Sequence, residues 1–279
     1  WERISPDLTT NDKSKQQQAT SGGLTIDNST AENYTTIYAV AESPVDKNTV
    51  WIGTDDGNLQ VTTDAGKNWT KLNDNLPNDL PKGSWITFVE PSPHDANTAF
   101  VAFDGHRTGD MATYLYKTTD GGKTWSRLDG KDLAGYALSV RQDLVNPNLL
   151  FLGTEFGLYL SLDGGSSWAP FRNNLPMVGI RDMVIHPRES DLVMATHGRG
   201  VIIIDDLEAL RQITPEITTQ KVAFLEAKPA FLPDPSGAGN GNFGGSGNYV
   251  GSNPTTSAEI MYFAGRRHTF GKMYIEVYK

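Results

Sequence analysis

The sequence predicts an all-β protein, a β-propeller of four-stranded antiparallel blades, on three observations. The chain of 279 residues contains 28 glycines and 15 prolines, which is typical of many short strands joined by tight turns. An eight-residue motif occurs three times, at 62–69, 118–125 and 161–168. Alternating apolar segments precede each copy at the same spacing, and such internal repetition is the signature of propellers and related folds.

The three motif copies read S/T-x-D-x-G-x-polar-W, a pattern suited to a tight hairpin. The aspartate accepts backbone N–H bonds within its own turn, and the glycine supplies the positive φ that the turn needs. The tryptophan brings a large apolar surface to the start of the following strand. We therefore interpret these residues as structural: Asp64, Gly66 and Trp69; Asp120, Gly122 and Trp125; Asp163, Gly165 and Trp168.

The segments ahead of each motif repeat as well. An inner strand ending in a proline turn comes first, at 37–44, 86–93 and 138–147. A second strand with a glycine turn follows it, at 50–57, 99–105 and 150–157. A fourth unit, 180–206, begins in the same way but has no motif. Each unit therefore reads as four short antiparallel strands, which make one blade.

The start of the chain fits the same register. Trp1, Ile4 and Leu8 have the spacing found after each motif tryptophan, so we expect the outer strand of a further blade here. The polar stretch 9–36 then predicts a surface loop, with disorder as the alternative. The ring is incomplete in this sequence, and we expect remaining blades, of the same or another chain, to cover its open strand edge.

Composition excludes several classes of function. The net charge of −9 argues against a nucleic-acid partner, because phosphate binding needs a basic surface. There is no cysteine, which excludes disulfides, thiol catalysis and cysteine metal sites. No spacing of histidine and carboxylate residues resembles a metal motif, so neither a metal nor a cofactor is predicted. No apolar run approaches the roughly 20 residues of a transmembrane helix.

These motifs and their flanking strands resemble the Asp-box (BNR) repeats of sialidases, xyloglucanases and sortilin-type propellers. They are most similar to those of the bacterial sortilin-like "BNR-repeat glycosyl hydrolase" proteins, and the resemblance covers roughly 1–213, including the ending at 196–207. It implies that the box aspartates are structural and lie at the blade periphery. It also implies an exported protein, located outside the cell, in the periplasm or at the cell surface.

The resemblance also guides the reading of the C-terminal region. The segment 214–257 predicts a connector and a linker rich in glycine, asparagine and serine, with a loop pinned by its aromatic residues as the alternative. Strands are expected at 260–263 and 273–278, paired as a hairpin. In the family such a hairpin would open a small immunoglobulin-like β-domain, here truncated at 258–279.

Candidate site residues gather on the blade face opposite the box hairpins. Glycoside hydrolysis needs two carboxyl groups across a sugar, and the candidates are Asp55, Asp104 and Glu155. Further ligand-face candidates are Asp56, His106, Arg107, Asp110, His197 and Arg199. The alternative interpretation is that aspartate and glycine occur here simply as turn formers.

Two functions follow from these observations. The first is a non-catalytic interaction or scaffold module of an exported multi-domain protein, which binds a protein or glycan partner. It is favoured by the lack of a catalytic signature across the blades. The second is a glycoside hydrolase, sialidase- or xyloglucanase-like, with its cleft between blades. A sialidase needs clustered arginines, and no motif links Arg107, Arg181 and Arg199.

Overall fold

The computed structural model describes residues 2–21, 28–29, 32–128, 130, 132–230 and 257–278. The chain divides into two compact units, Trp1–Ile204 and Asp205–Lys279. The first unit contains four antiparallel blades in a ring, which confirms the predicted β-propeller.

The first unit opens with short elements ahead of the blades. These are a 3₁₀ turn (Lys13–Lys15), α1 (Gln18–Ser21) and the paired strands β1 (Asn28–Ser29) and β2 (Glu32–Asn33). Blade 1 consists of β3 (Ile37–Glu42), β4 (Val50–Thr54), β5 (Leu59–Thr62) and β6 (Thr70–Lys71). A 3₁₀ turn at Asn73–Asn75 follows it. Blade 2 consists of β7 (Trp85–Pro91), β8 (Ala99–Gly105), β9 (Asp110–Thr118) and β10 (Ser126–Arg127), with a 3₁₀ turn at His106–Thr108.

The remaining blades follow the same order. Blade 3 consists of β11 (Ala137–Gln142), β12 (Leu150–Thr154), β13 (Gly157–Ser161) and β14 (Ala169–Phe171). Blade 4 consists of β15 (Ile180–Ile185), β16 (Leu192–Thr196) and β17 (Val201–Ile204). The fourth strand expected in every unit is therefore missing from blade 4 among the described residues. The unit that lacks a box also lacks the outer strand that a box hairpin would lead into.

The hydrophobic core lies between blades rather than within one layer. Blades 1 and 2 meet around Trp51, Ile86 and Tyr116, all at most 1% exposed. Blades 2 and 3 meet around a second cluster that includes Phe100 and Leu152, both fully buried. A middle strand is consequently covered on both faces, and for this reason β8 and β12 are buried at every residue.

The three Asp boxes make the same hydrogen bonds. In the second box, Asp120 accepts bonds from the Thr118 hydroxyl (2.8 Å) and from the backbone N–H (2.9 Å) and hydroxyl (2.6 Å) of Thr124. Asp64 and Asp163 accept the corresponding bonds in their own boxes. These bonds to the charged carboxylate lower the pKa of Asp64 and of Asp120 to about 2.

The boxes also lock neighbouring blades together. Gly122 has φ +87°, and a Cβ there would meet Leu72 of the preceding blade at 2.6 Å. Gly165 and Leu128 repeat this contact at 2.7 Å. At the first box the backbone carbonyl of Ile4 occupies this place, 2.6 Å from a Cβ at Gly66, and Trp69 Nε1 donates to the same carbonyl over 3.2 Å. Residues 2–8 form no strand, so the outer strand predicted at the chain start is not observed, and Trp1 itself lies outside the described residues.

An arginine joins the inner strands of three blades. Arg141 of blade 3 forms an ion pair with Glu90 of blade 2, and its Nε donates to the Met183 carbonyl of blade 4. Its guanidinium also lies 4.8 Å from the centroid of the Phe88 ring. Burial raises the pKa of Glu90 to about 7, against the opposing effect of Arg141.

The second unit corrects one prediction. It contains α2 (Glu208–Arg211), α3 (Pro215–Thr218), β18 (Val222–Leu225) and β19 (Met261–Ala264), and β19 pairs with β18. Residues 273–278 form no strand, so the predicted hairpin is wrong and the immunoglobulin-like start is not confirmed. Apolar alternation at 273–278 is not enough to make a strand, because a strand also needs a hydrogen-bonded partner and β19 pairs with β18 instead. Of the connector and linker predicted at 214–257, residues 231–256 lie outside the described residues.

Candidate functional site

Four sequence-predicted residues occupy one register position on the loop face, the blade end opposite the boxes. We call Asp55, Asp104, Glu155 and His197 the loop row. Asp55, Glu155 and His197 each directly follow the residue that pairs with the first residue of the inner strand, as in Ile37↔Thr54. Asp104 is at the corresponding place in blade 2, where it pairs with Trp85, the first residue of β7. The backbone N–H of Asp55, Glu155 and His197 donates to the residue before that strand, over 3.1, 3.3 and 2.8 Å. The fold therefore brings one member from each blade to the same face.

The blade 1 carboxylates hold the polypeptide around them. Asp55 accepts the backbone N–H of Thr36 over 2.7 Å. Asp56 accepts the N–H and hydroxyl of Thr10 over 2.7 and 2.6 Å, and also the Thr54 hydroxyl. Both aspartates are only 6% exposed, and burial raises the pKa of Asp55. Their bonds tie the N-terminal segment to blade 1.

In blade 2, Asp104 is bound to its own loop. It accepts the backbone N–H of His106 over 2.7 Å and contacts the same residue's Nδ1. The His106 ring stacks on Tyr136 of blade 3, with 4.5 Å between centroids and 15° between planes. The aspartate therefore fixes an imidazole that bridges two blades.

The network continues through blades 3 and 4. The Tyr136 hydroxyl donates to Glu155 over 2.9 Å, and burial followed by this bond raises the pKa of Tyr136 to about 12. Glu155 lies 3.9 Å from Arg181, which contacts Nδ1 of His197 at 3.2 Å. Asp104, Glu155 and His197 thus belong to one chain of contacts that crosses three blades.

A small cavity lies between blades 1 and 2. Its volume is about 130 Å³, and both Asp55 and Asp104 line it, together with Lys15, Tyr34, Trp85 and Arg107. The Arg107 guanidinium lies 3.6 Å from the Trp85 ring centroid, and Tyr38 packs against the same ring at 4.7 Å. The Trp85 ring is therefore already packed against two side chains of the chain itself.

The two remaining ligand-face candidates differ in their surroundings. Asp110 accepts the Tyr114 hydroxyl (2.8 Å) and the Ala112 N–H (3.0 Å), which places it in the turn of its own hairpin. Arg199 is exposed in the turn between β16 and β17. None of the described histidine and carboxylate residues form a cluster suited to a metal ion.

Sequence reasoning missed Tyr136 as a site residue and did not connect Arg181 to the loop row. Tyr136 stands immediately before its inner strand, at the position of Thr36 in blade 1. The repeat register contained this signal, because residues at that position face the loop row through the backbone bonds described above. The contacts of Arg181 depend on side-chain direction, which a strand pattern does not give.

Comparison with known proteins agrees with the fold. The BNR/Asp-box repeat model matches residues 116–127. A probable oligoxyloglucan-reducing end-specific xyloglucanase from Neosartorya fischeri is 33% identical over 94 residues, which are 34% of this chain and 11% of that protein. The GH74 xyloglucanase structure from Xanthomonas campestris has a TM-score of 0.51 and 20% identity, over 68% of this chain and 32% of that chain.

A further similar structure is YCF48 bound to D1 peptide, with a TM-score of 0.42 and 18% identity over 61% of this chain and 48% of that chain. This chain spans about a tenth of the length of the curated xyloglucanase and about a third of the xyloglucanase structure. The comparisons establish a β-propeller with Asp-box repeats. The sortilin-like assignment stays a prediction. Among the helices that the structure describes, no segment combines the length and hydropathy of a membrane span.

Proposed function

We propose that this chain is a non-catalytic binding module whose loop face contacts a protein or glycan partner. One observation carries the proposal: each candidate carboxylate already serves the fold. Asp55 binds the Thr36 backbone, Asp104 binds His106, and Glu155 binds Tyr136 and Arg181. A glycosidase needs one carboxyl free to protonate the leaving oxygen and a second free to reach water or the anomeric carbon.

The internal contacts that engage the carboxylates of the loop row, and so disfavour catalysis, favour binding. Side chains held by several internal contacts lose little conformational entropy when a partner arrives, which favours affinity. A contact chain from Asp104 to His197 presents a pre-organised surface across three blades.

A glycoside hydrolase is the second candidate. In its favour, Asp55 and Asp104 line the same cavity, and burial raises the pKa of Asp55, as a general acid requires. The local identity to a xyloglucanase points in the same direction. Against it, the cavity of about 130 Å³ is smaller than ligand sites of roughly 300–1,000 Å³.

The proposal places the module in an exported multi-domain protein, with further blades of the same or another chain completing the ring. Val184, Val193 and Ile203 lie side by side on blade 4, in the register that faces the next blade elsewhere in the ring. Val184, Val201 and Ile203 are 54%, 65% and 51% exposed. An apolar sheet face of this kind supports a covering blade.

A turnover screen tests the proposal. The full chain is incubated with xyloglucan, β-glucans and sialosides, and released reducing ends or sialic acid are quantified. We expect no release above the level of protein-free controls. Hydrolysis that disappears in Asp55→Asn or Asp104→Asn, yet persists in Glu189→Gln on the opposite face, would establish the hydrolase instead.

A further inference from the structure

A small apolar cavity opens on the loop face of blade 3. Its volume is about 170 Å³, and it lies between the turn that joins β12 to β13 and the loop that follows β14. We call Phe156, Tyr159, Phe171, Leu175 and Met177, which line it, the anchor pocket. Phe156 is 47% exposed and Met177 is 81% exposed. Two large apolar side chains thus face solvent at the mouth of a preformed hollow, as at protein-binding surfaces.

Positive charge surrounds the anchor pocket. Arg172 lines it, and Arg181 lies beside Glu155, the neighbour of Phe156 in the chain. Arg199 is exposed two residues after His197, in the turn between β16 and β17, and the His197 ring contacts Arg181. Three arginines against one glutamate make this part of the surface cationic, although the whole chain carries a net charge of −9. Such a local reversal of charge attracts anionic partners.

The side chains that line the anchor pocket favour a peptide ligand over a glycan. The walls are mostly aromatic, aliphatic and proline side chains, with Arg172 at the edge. A sugar placed there would lose hydration of its hydroxyl groups without gaining hydrogen bonds. A volume of about 170 Å³ suits one side chain, since pockets for whole small molecules occupy roughly 300–1,000 Å³. An exposed methionine adapts its shape to such a side chain.

We propose that the anchor pocket and the arginines beside it bind an acidic peptide segment of a partner protein. One aliphatic or aromatic side chain of the segment fills the pocket, and flanking carboxylates of the segment pair with Arg172, Arg181 and Arg199. This inference rests on the proposed binding function and names the partner class for one part of the loop face.

Fluorescence anisotropy with the full chain tests the proposal. The probe is a labelled glutamate-rich peptide with a single central leucine, compared with the same peptide carrying serine and with a lysine-rich peptide carrying leucine. We expect the acidic leucine peptide to bind best and to weaken as salt is added. Met177→Ser and Arg199→Glu should each reduce its affinity by about tenfold, by loss of buried apolar area and of charge attraction.

Matched variants on the opposite face provide the controls. Val145→Ser removes an apolar side chain that is 64% exposed, and Arg188→Glu reverses an exposed charge. Both should bind the acidic leucine peptide as the wild type does. Equal loss in Val145→Ser and Met177→Ser, no binding of any peptide, or tighter binding of oligogalacturonate than of the peptide would overturn the proposal. Polysaccharide turnover would instead overturn the non-catalytic function and leave the peptide result standing, so the two failures are distinguishable.

Discussion

Replacing Arg141 with methionine should destabilise the propeller in a strongly pH-dependent way. Arg141 neutralises Glu90, which is 7% exposed, and it also binds the Met183 carbonyl. Removing one member of a buried ion pair leaves the other uncompensated, at a cost of about 3–5 kcal/mol. That cost applies only where Glu90 is ionised.

The pH window follows from the pKa of Glu90. Its value is about 7 in the folded state against 4.5 in the reference state, so wild-type stability declines as pH rises between these values. Without Arg141 the pKa rises further, and the decline extends to higher pH. At about pH 5 Glu90 is protonated in the folded variant, and the loss shrinks to about 1 kcal/mol for the Met183 hydrogen bond.

Urea unfolding at about pH 5 and about pH 8.5 measures this difference. In a double-mutant cycle, Glu90→Gln removes the charge while keeping the side-chain shape, so Arg141→Met should cost at least about 2 kcal/mol less in that background at the higher pH. Equal losses at both pH values, or no coupling between the two positions, would refute the assignment of Glu90 and Arg141 as a buried pair.

Three further predictions concern the boxes and the open ring. In urea unfolding, Gly122→Ala should destabilise the protein by about 1–3 kcal/mol more than Gly109→Ala does. Both glycines have positive φ, but only a Cβ at Gly122 would meet a neighbour, Leu72 at 2.6 Å. Equal losses of stability in the two variants would disprove the contact between the box and the preceding blade. Asp120 has a folded pKa of about 2, below its reference value of 3.8, so its stabilisation is full above about pH 4 and is lost as pH falls towards 2. The stability difference between wild type and Asp120→Asn should therefore shrink over this range in acid titrations, and a constant difference would count against the carboxylate bonds. Sedimentation velocity of the chain alone should show concentration-dependent association through the exposed face of blade 4, reduced by Ile203→Glu, whereas a compact monomer at all concentrations would contradict a covering blade.

The repeat made most of the propeller predictable from sequence. Box residues such as Asp120 and Gly122 require a defined turn, and alternation around segments such as 150–157 marks the buried strands. The position of Ile4 beside the first box could be predicted because its spacing repeats that of Leu72, but the strand expected there does not form. Strand pairing outside the repeat could not be predicted, and β19 pairs with β18 because a short apolar strand accepts any partner that completes its hydrogen bonds.

The candidate site was predictable in its positions but not in its contacts. The loop row follows from the blade register, so the spacing of the repeat alone is enough to place Asp55, Asp104 and Glu155 on one face. Whether a carboxylate is free or engaged also depends on side chains from the next blade, such as Arg181, which lies 3.9 Å from Glu155. Such contacts between blades leave no periodic signal in the sequence.

Turnover by the full chain on xyloglucan oligosaccharides is the decisive test of whether the loop face is non-catalytic. Reducing ends would be counted over long incubations at high protein concentration, with the wild type beside Asp55→Asn and Asp104→Asn. We expect no release above protein-free controls for any of the three proteins, because both carboxylates already accept hydrogen bonds from the chain. Steady release by the wild type that both substitutions abolish would contradict it and identify the cavity between blades 1 and 2 as an active site.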